Sequence, residues 1–155
     1  MEMEKSFRSG CPIASTLDIV GDKWSLLVIR DMLLHHKTTF KEFIGSNERI
    51  APGILSARLK SLAHYGLISK QKRKSNQKEN LYLLTEKGME LASILIDFSI
   101  WGDRHMRNFN EIKHIEGLHF EKEFIIDTVK ERYNVFIQAL MLWSLRLFLR
   151  QAINY

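Results

Sequence analysis

Apolar residues in the first hundred positions recur at intervals of three and four, punctuated by glycine, proline and one long polar tract. Ile13, Leu17 and Val20 keep helical spacing after Pro12, with Cys11 near the N-cap and Gly21 ending the run. Asp22 is placed to cap a second helix, Lys23 to Leu34, which is apolar on most faces and so belongs in the core. Thr39 and Glu42 stand three apart as a capping box for a short helix, Phe40 to Ile44, stopped by Gly45. Pro52 opens a fourth helix that runs to about Tyr65, with Gly66 as its C′ residue. At about 100° per residue, Leu55, Leu59 and Leu62 share one face of it. Gly53, Ser56, Ala57, Lys60 and His64 share the opposite face, and Arg58 lies on the flank.

The polar tract Ser69 to Asn80 holds five Lys/Arg, one Glu and no apolar residue. On composition alone it reads as a linker. Its position between two short extended segments, "LISKQK" and "NLYLLT", with a turn-like Ser-Asn-Gln centre, makes it a hairpin instead. Thr85 then caps a further helix whose Leu91, Ile94, Leu95, Phe98, Trp101 and His105 form an apolar face. A polar segment from Arg107 to about Gly117 separates it from a last helix that starts near Glu121 and reaches toward the C-terminus. Of the 17 residues from Tyr133 to Leu149, 13 are apolar, a pattern that demands burial, with packing on a dimer partner favoured over a membrane surface or a ligand pocket between helices. The fold class is mainly α with a small β-hairpin, in the order of a winged helix-turn-helix. Residues 1–106 form this DNA-binding domain and residues 107–155 a helical extension.

Charge sharpens this picture. The formal net charge is +5, but the stretch from Lys37 to Asn80 carries ten Lys/Arg against three acids, or +7, while the rest of the chain is at −2. Positive charge confined to one contiguous segment suits a polyanion such as double-stranded DNA. Gly53, Ser56, Ala57 and Lys60 are the candidate base-facing residues; Gly53 and Ala57 lack bulk, and an alanine methyl can meet a thymine methyl. Lys37, Thr39, Lys41, Arg49 and Arg58, with Lys72, Arg73, Lys74 and Lys78 of the hairpin, are the candidate phosphate contacts, acting chiefly by counterion release.

The chain has one cysteine, Cys11, so an intrachain disulfide is excluded. A thiol at a helix N-terminus, with Lys5 and Arg8 close in sequence, is a candidate redox or electrophile switch. The alternative is a small, buried, inert residue. Nothing resembles a secretion signal or a spanning helix, which points to a cytoplasmic protein without a membrane partner. No histidine pair has metal-ligand spacing, and no nucleotide-loop or nucleophile-elbow motif is present, so neither a metal, a cofactor nor an enzyme activity is expected.

The words "CPIASTLDIVGDKWSLLVIRDML", "RIAPGILSARLKSLAHYGLI", "LYLLTEKG" and "WGDRH" closely resemble the HxlR-type family of bacterial winged-helix regulators, from Cys11 to about Met106. The resemblance implies a homodimeric transcription factor, a repressor by analogy, on an inverted-repeat operator. It implies that the Pro52–His64 segment is the recognition helix. It implies flanking dimerisation helices, with a dimer interface from the first helix and the helices after the wing, for which Ile13, Leu17, Leu95, Phe98 and Trp101 are the candidates. It also implies a response to an oxidant or small electrophile at Cys11. Where family members commonly have a capping Ser, this chain has Ala51. The competing functional class is a winged-helix protein-interaction module, against which the strongly basic wing argues; control by a small ligand between helices is a further alternative.

Overall fold

The computed structural model of the chain describes residues 7–73, 76–106 and 121–153, with side chains through residue 143. Pro12 occupies the first turn of α1 (Pro12–Val20), with Cys11 as its N-cap. α2 (Ser25–His35) starts two residues later than the spacing predicts. Asp22 still does the capping, because its Oδ1 accepts from the Trp24 and Ser25 amides at 2.9 and 3.1 Å. α2 is the central core helix, burying Val28, Ile29, Met32 and Leu33. α3 (Phe40–Ile44) carries the expected capping box: the Glu42 amide donates to Thr39 Oγ1 at 3.3 Å, and the Thr38 and Thr39 amides both donate to Glu42 Oε2 at 2.8 Å.

α4 (Pro52–His64) buries Leu55, Leu59 and Leu62, the face that periodicity selects. It ends in a Schellman motif. Gly66 turns left-handed at φ +69, its amide donates to the Ala63 carbonyl at 3.0 Å, and the Leu67 amide donates to the Leu62 carbonyl at 2.9 Å. At the other end Ala51 is the N-cap and supplies no side-chain hydrogen bond. Ala51→Ser is expected to raise stability by about 1 kcal/mol, read as a higher urea midpoint at unchanged slope.

β1 (Ile68–Arg73) and β2 (Asn76–Leu84) pair antiparallel, Ile68 opposite Leu84 and Lys70 opposite Tyr82, with a register shift between Lys72 and Arg73. The outer edge of β2 is satisfied from two places. The Tyr82 amide donates to the Thr38 carbonyl at 2.7 Å, beside a Thr39–Leu81 bridge, which ties the hairpin root to the start of α3. The Leu84 amide donates to the Tyr133 hydroxyl at 2.8 Å.

The single helix expected after Thr85 is two. Thr85 caps α5 (Glu86–Met89), and α6 (Ala92–His105) follows after a tight turn. Gly88 docks so closely on the hairpin root that a Cβ would lie 2.0 Å from the Leu67 carbonyl oxygen. The Leu91 amide then bonds only three residues back, to Gly88, and the helix axis restarts. The polar segment 107–117 lies outside the described residues.

α7 (Lys122–Ile153) has 32 residues and is about 48 Å long. Ile126, Val129, Tyr133, Phe136 and Ile137 form a stripe that packs on the core of its own chain, against α2 and α6. Among the described residues that stripe is where the burial expected of this apolar helix is met, while Val135, Met141, Leu142 and Trp143 remain 50–60% exposed. Tyr133 is almost fully buried, and burial pushes its phenol up to about 12, with the Leu84 amide bond acting the other way. Tyr133→Phe strands a buried amide. It is expected to cost about 1–2 kcal/mol in urea unfolding and to speed exchange of the Leu84 amide hydrogen.

Candidate nucleic-acid interface

Helices α3 and α4 with their connecting turn form the helix-turn-helix. Inside the turn Arg49 adopts left-handed backbone, φ +54. This buries the neighbouring Ile50 and leaves the Arg49 side chain in solvent. The face of α4 opposite its buried leucines is open: Gly53, Ser56, Ala57 and Lys60 are all exposed. Nothing lies within 4 Å of the position a Gly53 Cβ would take, so the chain's own packing does not require glycine there. Ile54 is 43% exposed on the same N-terminal turn. It belongs to neither the buried leucine face nor the polar face that periodicity selects. Its exposure leaves a branched aliphatic group in solvent at the start of α4.

The cations separate into two sets. Lys37 was expected on a phosphate; its Nζ instead donates to Asp31 Oδ2 at 2.8 Å and to Ser46 Oγ at 2.7 Å. The Asp31 side chain is 3% exposed and also accepts from Arg30 Nε and Nη2, at 3.0 and 2.6 Å, and from the Ser46 hydroxyl. Burial alone would raise the Asp31 carboxyl; the bonds from Lys37, Ser46 and Arg30 outweigh it and hold the group below the usual carboxylate range. Lys37 is therefore a structural cation, fixing the end of α2 to the turn after α3. Thr39 likewise leaves the phosphate set: it is 6% exposed, and Glu42 already occupies the amides at its helix start. Arg58 Nη1 donates to Asp22 Oδ2 at 3.1 Å and anchors α4 to the start of α2. Arg73 Nη1 donates to Glu79 Oε2 at 2.5 Å across the wing and lies 6.0 Å from the Trp143 ring centre.

Lys41, Arg49, Lys60, Lys72 and Lys78 form the second set. All are exposed, and none has an ion-pair partner among the described residues. Lys60 lies on the open face of α4 itself, Lys41 and Arg49 on α3 and its turn, and Lys72 and Lys78 on the wing. Lys74 lies outside the described residues.

Cys11 is a free, exposed thiol. Its amide donates to Ser9 Oγ at 2.9 Å, while Arg8 is engaged with Asp18 at 2.8 Å; Lys5 lies outside the described residues. On α1, Ile13 and Leu17 are 72% and 53% exposed, and on α6 Phe98 and Trp101 are 58% and 57% exposed, with Leu95 half-buried beside them. Each of these two helices thus leaves two large apolar side chains bare. Among the described residues no cluster of His, Cys, Asp or Glu is arranged to hold a metal ion, and no helix is long and apolar enough to cross a membrane.

A helix-turn-helix with a bare, cation-flanked second helix, followed by a basic hairpin, defines a winged-helix DNA-binding protein. The chain belongs to the HxlR-like helix-turn-helix family, whose model matches residues 19–110. It is 30% identical over 108 residues to the HTH-type transcriptional regulator YdeP of Bacillus subtilis, covering 67% of this chain and 80% of that one. The crystal structure of PA1607 superposes with a TM-score of 0.61 at 34% identity, over 70% of this chain and 73% of the other. The redox regulator HypR in its oxidised form superposes at 0.55 and 28% identity, over 61% of this chain and 97% of its own. The protein is a transcription regulator of the helix-turn-helix type, in a family of regulators and not of enzymes.

Proposed function

We propose that the protein acts as a homodimeric repressor that reads an inverted-repeat operator, its two α4 helices entering major grooves about 34 Å apart. The observation that carries this is the open face of Gly53, Ser56, Ala57 and Lys60, together with exposed Ile54 and four further cations, Lys41, Arg49, Lys72 and Lys78, that have no ion-pair partner among the described residues. Small residues let the helix approach the base edges, and Lys41, Arg49, Lys72 and Lys78 fix its register on the phosphates. Ile13, Leu17, Leu95, Phe98 and Trp101 form the contact between protomers. Residues 1–106 carry DNA binding, with α7 as an extension that braces the wing root. Selection of bound duplexes from a random pool, followed by footprinting, tests the reading. A palindromic site with half-sites one turn apart is the expected result; retention of all sequences alike would overturn it.

Cys11 supports a second layer, control by oxidants or electrophiles. The thiol is exposed at a helix N-terminus on the proposed interface helix, and HypR, a redox regulator, shares the fold. Diamide is expected to weaken operator binding by the wild type and to leave Cys11→Ser unaffected. Equal loss in both proteins would remove the thiol from the mechanism.

A further inference from the structure

α7 meets the hairpin at two points, and their spacing matches on both elements. At the root, the Tyr133 hydroxyl accepts from the amide of Leu84, the residue opposite Ile68. Farther out, the Trp143 ring centre lies 6.0 Å from Arg73 Cζ. The helix rises about 15 Å from Tyr133 to Trp143. The strand advances about 17 Å from Ile68 to Arg73. α7 therefore runs beside the wing from its root to its outer part.

The outer contact falls where the hairpin is irregular. Lys72 pairs with Asn80 but Arg73 with Asn76, so Gln77, Lys78 and Glu79 bulge from β2. Two internal bonds hold this bulge. The Lys78 amide donates to Asn76 Oδ1 at 3.1 Å, and Arg73 Nη1 donates to Glu79 Oε2 across the wing. Exposure marks a support from outside. Ser69 to Lys72 are all exposed, yet Arg73 beyond them is covered again, its side chain 28% exposed. Lys72 stands at the edge of the irregularity and Lys78 within it, and these are the two wing cations assigned to phosphates above.

We infer that α7 is a splint for the wing and that Trp143 is its positioning residue, holding Arg73 so that the bulged segment keeps Lys72 and Lys78 in place for phosphates. Arg73 is committed to Glu79 and to the ring, so it acts through this placement and not as a DNA contact. A bulged strand bends; the ring restrains that bend from outside the hairpin. The effect on DNA rests on the DNA-binding reading above; the contact between α7 and the wing does not.

Backbone amide relaxation of the full chain, measured by NMR without DNA, is the direct test. Order parameters at Lys72, Arg73, Lys78 and Glu79 are expected near the rigid value of about 0.85 in the wild type and to fall toward about 0.6 in Trp143→Ala. The urea midpoint should stay in place, because the ring is 51% exposed. Trp143→Phe keeps an aromatic face and should restore most of the order; Trp143→Leu keeps only bulk and should not. Unchanged order in Trp143→Ala, equal rescue by Leu and Phe, or a lowered midpoint in place of a loosened wing would each overturn the assignment. On the selected operator, Trp143→Ala should weaken binding about five- to tenfold, since an exposed contact of this kind shifts an equilibrium about two- to fivefold and the proposed dimer has two. The salt slope should flatten by about 1 to 2 with the preferred sequence unaltered. Added to Arg73→Gln, the same change should cost nothing more; a further loss means that Trp143 does not act through Arg73. A loosened wing with operator affinity intact overturns the role in DNA binding. A wild type that selects no sequence strikes the earlier reading instead, and the relaxation data still decide the splint.

Discussion

Raising salt from about 50 to about 200 mM is expected to lower operator affinity by roughly 10³- to 10⁴-fold. Lys41, Arg49, Lys60, Lys72 and Lys78 are exposed and carry no internal ion pair among the described residues, so each is available to a phosphate. If three or four per protomer engage, a dimer neutralises about six to eight phosphates, and the slope of log affinity on log salt is about −5 to −7. The joint change Lys72→Ala and Lys78→Ala removes about four contacts per dimer and should flatten that slope by about 3 to 4, leaving the preferred sequence unaltered. Lys37→Ala is the internal control. Its ammonium is committed to Asp31, so its loss should leave the slope intact and lower stability instead. A slope near zero for the wild type would remove the electrostatic account of the interface.

Asp31→Ala should destabilise the fold by about 2–4 kcal/mol, lowering the melting temperature by about 10 °C, as seen by calorimetry. The carboxylate joins Arg30, Lys37 and Ser46, and removing it leaves two cations without their shared buried partner. The cost falls short of a fully buried triad because the Arg30 and Lys37 side chains keep 25% and 20% exposure. Asp31→Asn keeps the shape and one acceptor and should cost less. The same network fixes a pH response. A carboxyl held below its unfolded value contributes stability that is complete above about pH 4 and is lost as pH falls through its folded value. Acid unfolding of the wild type should therefore be steep below the ordinary carboxylate range, and shallower in Asp31→Asn.

Local periodicity and capping made most of the winged helix legible. The inward leucines of α4, the Thr39–Glu42 box and the left-handed Gly66 all depend on neighbours within a few positions, and all stand as read. The misses have partners farther away. Lys37 counts as a free cation on any tally of charge, and only the fold brings Ser46 and Asp31 to it. Ile54 lies about 100° around α4 from Leu55, off the buried leucine face, and stays 43% exposed. The break between α5 and α6 comes from Gly88 meeting the Leu67 carbonyl, a contact across the hairpin that no helical pattern encodes. The exposure of Gly53, Ser56, Ala57 and Lys60 needed no such contact, since it follows from the burial of the leucines on the opposite face of α4.

The bond from the Leu84 amide to Tyr133 spans 49 residues of chain. A ribosome adding about 5–20 residues per second needs several seconds to travel from one to the other. Through that interval the nascent chain has both helices of its helix-turn-helix and both strands of its wing, but the outer edge of β2 has one amide still seeking an acceptor. An unfinished strand edge is a template for pairing with another chain. The last helix therefore works during biosynthesis as a late seal, and truncation before Tyr133 should shift newly made protein toward aggregates even where the DNA-reading elements are complete.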